Sequence, residues 1–135
     1  MQIVRVVGGL ILMLILLFSF GAGAAEPGRV EVVIRNSAFE VQGGPIRLGT
    51  PAVIVIKNLD PMEHGFVSLF LQEADLRVDI GGSAAFGRGI KGVHVGAGSE
   101  LTIRFIPSQS GRFNFICDLH PNMKGEVALI SVTGG

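Results

Sequence analysis

The sequence predicts an all-β domain, an antiparallel sandwich or barrel of short strands, and three observations carry that expectation. Apolar residues recur with period two in several short stretches, as where Val30, Val32 and Ile34 alternate with Glu31, Val33 and Arg35. Turn-forming clusters separate these stretches: Gly43-Gly44-Pro45, Gly49-Thr50-Pro51, Leu59-Asp60-Pro61 and residues 107–111. No amphipathic helical pattern of useful length is present; residues 71–76 could form a turn or two.

Along the chain, residues 1–25 stand apart. Arg5 is the only charged side chain before Glu26, residues 6–20 are almost wholly apolar, and residues 21–25 are all small. A positive start, a short apolar run and a small-residue exit describe a secretory signal peptide, leaving residues 26–135 as the mature domain. The charge-free stretch 6–25 is also just long enough for a tilted or thin-membrane span, so a retained anchor is the competing reading. The short apolar core and its small-residue end favour cleavage after Ala25. No cysteine lies near the exit, so a bacterial lipid anchor has no acceptor thiol there.

After the period-two strand at Val30, residues 52–56 form a continuous, mostly β-branched run, as expected of a strand buried on both faces. Residues 64–70 are a third apolar stretch. Leu101, Ile103 and Phe105 alternate with Thr102 and Arg104. Phe113, Phe115 and Cys117 alternate with Asn114 and Ile116, and residues 127–132 close the chain. Val30, Ile54, Phe105, Phe113 and Phe115 are the expected core. Residues 71–99 are rich in glycine and poor in periodicity, which reads as a functional or mobile loop, or as a plain crossover between sheets.

Lys and Arg number 11, as do Asp and Glu. That balance lacks the concentrated positive field that nucleic-acid binding needs. The mature part contains no apolar run long enough to span a membrane, so membrane contact is expected only through a retained leader.

Chemistry concentrates around the single cysteine. Exported proteins usually use cysteines in pairs, and a lone thiol in an oxidising compartment is a liability unless buried or occupied. Cys117 is followed by His120 and Met123, at the end of a strand. A second imidazole, His64, follows a strand and a turn far upstream. Thiolate, imidazole and thioether together suit copper; two His, one Cys and a weak axial Met form the ligand set of blue-copper sites. Leu119 to Pro121 would have to turn tightly to return His120 toward Cys117. Pro121 stiffens that turn, and Gly125 allows close packing or an unusual backbone angle.

The segment from Phe115 to Gly125 resembles the copper loop of the cupredoxin family, and its Cys-x2-His-x2-Met spacing is similar to that of amicyanin. Plastocyanin and pseudoazurin have two more residues before the Met. The resemblance implies a Greek-key β-sandwich of the cupredoxin type. It implies Cys117 as the thiolate ligand of one copper ion, His64 and His120 as equatorial imidazoles, and Met123 as the axial ligand. Two features depart from the common pattern. Many members place Asn after the upstream His, tying the ligand loops together, where this chain has Gly65. The strings His64-Gly65-Phe66 and Cys117-Asp118-Leu119-His120-Pro121 look like those of nitrosocyanin, and the first also resembles the binuclear copper A domains. Nitrosocyanin has Glu at the upstream position, and the binuclear centre needs a second Cys.

The family resemblance implies a one-electron carrier cycling between Cu(I) and Cu(II), not an enzyme. The expected carrier is a periplasmic monomer meeting redox partner proteins transiently, with the His120 edge, between Leu119 and Pro121, as its electron port. A copper-buffering or tolerance protein with the same site is the alternative, although the His- and Met-rich tail that would favour it is absent. Near the site, Glu63 is expected to be solvated and Met62 to pack. His94 is expected on a surface loop without a role at copper. Asp118 is expected to face solvent or accept backbone hydrogen bonds.

Overall fold

The computed structural model describes residues 26–131, so the leader-like segment 1–25 and the expectations attached to it lie outside the described residues. Among those residues the chain forms eleven strands: β1 (Gly28–Arg35), β2 (Ala38–Gln42), β3 (Ile46–Arg47), β4 (Ala52–Asn58), β5 (His64–Ser68), β6 (Asp75–Ile80), β7 (Ser83–Arg88), β8 (Gly92–Val95), β9 (Glu100–Phe105), β10 (Gly111–Ile116) and β11 (Lys124–Ile130). They make two sheets. One is six-stranded, in the order β2-β1-β4-β9-β6-β7; the other is five-stranded, in the order β3-β11-β10-β5-β8. The chain leaves the first sheet at β3 and returns at β4, which lets β1 and β4 pair in parallel. β3 and β11 also pair in parallel, and the other strand pairs are antiparallel. This is the two-sheet all-β sandwich that the sequence predicts. No helix among the described residues is long and apolar enough to cross a membrane.

The core lies between the sheets. Val30, Val32 and Ile34 of β1, Ile54 and Ile56 of β4, and Leu101, Ile103 and Phe105 of β9 are buried on one side. Phe66, Phe115, Val127 and Leu129 are buried from the other. Phe66 and Phe115 stack tilted with centroids 4.6 Å apart, and Phe39 meets Phe115 edge-on at 5.0 Å. The run 52–56 is buried throughout, as its unbroken apolar pattern predicts. Phe113 is only partly buried, packed against the core rather than within it.

Residues 71–99 are the main correction. They hold three strands, because Leu76 and Val78 alternate inward with Arg77 and Asp79, and Gly81-Gly82 turns β6 back into β7. The short helical piece is a 3-10 turn at Leu69–Gln72, slightly before the expected 71–76.

Two packing details lead toward the end of the sandwich where β5 begins and β10 ends. Asn36 and Ser37 join β1 to β2 with positive φ (52° and 54°), the geometry of a two-residue type I′ turn. Gly125, paired with Phe115 across β10 and β11, has no room for a Cβ, because the Phe115 ring occupies that space. Its requirement is thus close packing and not backbone angle. Gly125→Ala should destabilise the copper-free protein by about 1–3 kcal/mol through overpacking. Urea unfolding checks this; an unchanged midpoint would show that the ring can move aside.

Candidate metal centre

His64 opens β5 and is fully buried. Its Nε2 lies 2.8 Å from Asp60 Oδ2. Asp60 is itself buried, and it also accepts the backbone N–H of Asn36 at 2.7 Å and of Ser37 at 2.8 Å. The Ser37 amide first, then the Asn36 amide and the His64 imidazole, hold the Asp60 carboxyl below its ordinary range against the opposing effect of burial. Ionised, Asp60 can only accept, so His64 carries its hydrogen on Nε2 and presents the lone pair of Nδ1 to the interior. This stabilising charge is present above the ordinary carboxylate pKa and is lost as pH falls through the lowered value.

Asn58 builds the loop that carries Asp60. Its Oδ1 accepts the Asp60 N–H at 3.0 Å, while its Nδ2 reaches the carbonyls of Met62 (2.7 Å), Val95 (3.0 Å) and Gly96 (3.1 Å). Asn58 is 1% exposed, and these bonds satisfy a side chain that could not otherwise be buried.

The other donors come from the segment joining β10 to β11. Cys117 follows the last residue of β10 and is buried. The loop closes on itself: Met123 N–H donates to the His120 carbonyl at 3.1 Å, and Cys117 N–H donates to the Met123 carbonyl at 3.2 Å. That is the tight turn the spacing requires. Met123 is buried, and His120 is partly exposed between exposed Leu119 and Pro121.

Three donors converge. His64 Nδ1 and His120 Nδ1 are 3.1 Å apart, and Cys117 Sγ lies 3.9 Å from the first and 3.5 Å from the second. A point in their plane lies about 2 Å from all three, the length of a metal–nitrogen or metal–sulfur bond. Two nitrogens and one thiol sulfur facing a common point, with a thioether on the same loop, are a donor set for a soft or borderline metal. The Gly65 N–H adds a hydrogen bond to Cys117 Sγ at 3.2 Å. The structure therefore brings together His64, Cys117 and His120, with Met123 buried beside them on the loop.

The neighbours match expectation in part. His94 lies on β8, not on a loop, and faces Gly65 across the β5–β8 pair. Its Nε2 bonds Asp118 Oδ2 at 2.9 Å and its Nδ1 approaches Glu63 Oε1 at 3.2 Å. Glu63 and Asp118 are exposed, as expected, each beside the His94 ring, whereas Met62 is exposed rather than packing. The Asp118 hydrogen bond holds the His94 ring above the usual histidine range, and the same bond holds Asp118 below the usual carboxylate range. The pair's stabilisation is lost as pH rises through the raised His94 value and as it falls through the lowered Asp118 value. Asn58 and Asp60 are functional residues beyond those expected; an Asp four residues before a ligand-type His is the sequence signal for the second.

A cleft of about 770 Å³ lies over the outer face of the six-stranded sheet near Arg77, Phe86 and Arg104, and none of the four candidate donors lines it.

The comparisons agree on the fold. A copper nitrite reductase from Nitrosomonas europaea matches with a TM-score of 0.54 at 12% identity, over 79% of this chain and 49% of that one. A multicopper oxidase matches with a TM-score of 0.54 at 12% identity, over 78% of this chain and 45% of that one. This chain thus spans less than half the length of these copper enzymes. An oxidised amicyanin variant aligns over 81% of this chain and 88% of its own, at 16% identity and a TM-score of 0.47. Comparison with curated proteins finds no match. The profile of the cupredoxin-like domain matches residues 8–129, nearly the whole chain. With the two-sheet sandwich and the converging His, Cys and His, this shows that the chain belongs to the cupredoxin family.

Proposed function

We propose that the chain is a one-electron carrier that holds a single copper ion through His64, Cys117, His120 and Met123. The observation that carries this reading is the convergence of Cys117 Sγ with the two Nδ1 atoms. Bound there, copper would supply the Cu(I)/Cu(II) couple.

The chain's own residues do the rest. Asp60 fixes the His64 ring and its tautomer, leaving Nδ1 free to bind. Gly65 N–H donates to the sulfur and tempers its electron donation. The backbone bonds from Met123 to His120 and from Cys117 to Met123 hold the loop in one shape, so a change of oxidation state need reorganise little. His120 offers a partly exposed ring edge beside exposed Leu119, a route for electrons to a docked partner. Four protein donors leave no coordination position for a substrate, which favours a carrier over an enzyme. The leader-like segment supports export, and the proposal extends to a periplasmic protein meeting larger redox proteins transiently.

Purified with copper, the protein should be strongly coloured when oxidised and colourless when reduced, and Cys117→Ser should lose the colour while staying folded by circular dichroism. Stoichiometric copper without colour would overturn the assignment. Met123→Gln offers a harder oxygen donor that favours Cu(II), so redox titration should show a lower potential with the site still occupied. An unchanged potential would mean that Met123 is packing only.

Asp60→Asn should act through His64. The amide accepts at one oxygen only, so a buried partner is lost at a cost of about 1–3 kcal/mol. Its NH2 turned toward Nε2 would move the His64 hydrogen to Nδ1, weakening copper binding on the order of 10–100-fold. Nitrogen-15 shifts of the ring in the copper-free protein report the tautomer directly. A native tautomer and native affinity in Asp60→Asn would remove Asp60 from this role.

A further inference from the structure

We infer that His94 is a positioning residue for the metal centre: its ring clamps Asp118 over the bare backbone of Gly65 and so holds the Gly65 N–H on the Cys117 sulfur. The inference rests on the copper-carrier reading for its consequence, but its geometry stands without the metal.

Gly65 is closely covered by Asp118. A Cβ built there would collide with Asp118 Oδ1 and come within 3.2 Å of the Asp118 backbone nitrogen. Gly65 has no positive φ, so the feature that favours glycine here is this close approach and not the backbone angle. The segment Cys117–Asp118 therefore lies directly on the open face of β5. Sheet register then places His94 beside the contact, because Gly65 and His94 are paired across β5 and β8. The His94 ring reaches Asp118 Oδ2 at 2.9 Å. Its other nitrogen meets Glu63 at 3.2 Å. Glu63 precedes His64, and Asp118 follows Cys117. One imidazole on a third strand thus spans the two chain segments that carry the first two donors.

The link to function is the N–H···S bond. Gly65 N lies 3.2 Å from Cys117 Sγ, a distance set by how closely the Cys117–Asp118 segment is pressed on β5. A hydrogen bond to a thiolate withdraws electron density from sulfur, weakens its donation to Cu(II) and so favours Cu(I). Releasing the clamp should lengthen the bond and lower the reduction potential.

The test compares His94→Phe, His94→Gln and Asp118→Asn with the native protein. The Gly65 amide proton is followed by NMR in the copper-free protein, and the potential by redox titration of the copper-loaded one. His94→Phe removes both ring nitrogens, and the Gly65 amide proton should move upfield while the potential falls. His94→Gln keeps a donor toward Asp118 and should recover part of both shifts. Asp118→Asn keeps an acceptor for His94 but loses the charge, so the amide proton should stay near its native position. An unmoved Gly65 amide in His94→Phe overturns the inference. An equal displacement in Asp118→Asn also overturns it, since it would assign the effect to the carboxylate's charge. If His94→Phe does not fold, His94→Gln and Asp118→Asn still decide, with a fully displaced amide in the first or an equally displaced one in the second counting against the clamp. If no copper binds, the proposed function fails while the copper-free amide shifts still judge the clamp.

Discussion

His64 is buried completely, and a buried imidazole must satisfy both of its nitrogens. Much of the local structure follows from how this is done. Nε2 is met by the Asp60 carboxylate, which needs partners of its own if it is to be buried as an anion. Those partners are the amides of Asn36 and Ser37, in a hairpin turn whose left-handed backbone exposes both N–H groups to one acceptor. Asn58 shapes the loop that carries Asp60, and also binds the carbonyls of Val95 and Gly96 at the end of β8. One hydrogen-bonded column thus runs from the β1–β2 turn through Asp60 to His64, ending in a lone pair aimed at Cys117 and His120.

The other half of the centre is built by packing and a short backbone circuit. Phe115, fully buried against Phe66 and Phe39, anchors the end of β10 and leaves Cys117 at the edge of the core. Gly125 lets β11 start against that ring. Between them, Cys117 N–H to Met123 and Met123 N–H to His120 fold the loop so that the donors return to one place. The buried side is rigid because each polar group has a partner; the outer side keeps His120 partly open. The proposed carrier role calls for this combination of a fixed donor set and one accessible edge.

The parts of this arrangement differed in how readable they were. Cys117, His120 and Met123 share one loop, so their spacing alone exposes them, and β1, β4 and β9 announce themselves by burial patterns close to ideal. β7 could not be found by periodicity, because all six of its residues are exposed and carry no apolar face. β6 does alternate, but its pattern is embedded in glycine-rich sequence that reads as loop. His94 and Asp118 lie 24 positions apart, and their contact depends on the register of β5 against β8. Asp60 lies close to His64 in sequence, but its importance depends on the distant Asn36–Ser37 turn.

The central claim is that the protein fold alone, before any metal arrives, sets His64 Nδ1, Cys117 Sγ and His120 Nδ1 around one point. Crystal structures of the protein without copper and with copper test it most directly. One copper ion is expected between these three atoms, with Asp60 still bonded to His64 Nε2 and donor separations unchanged within coordinate error. A copper-free structure with His120 swung away or Asp60 detached from His64, or copper bound elsewhere, would contradict it.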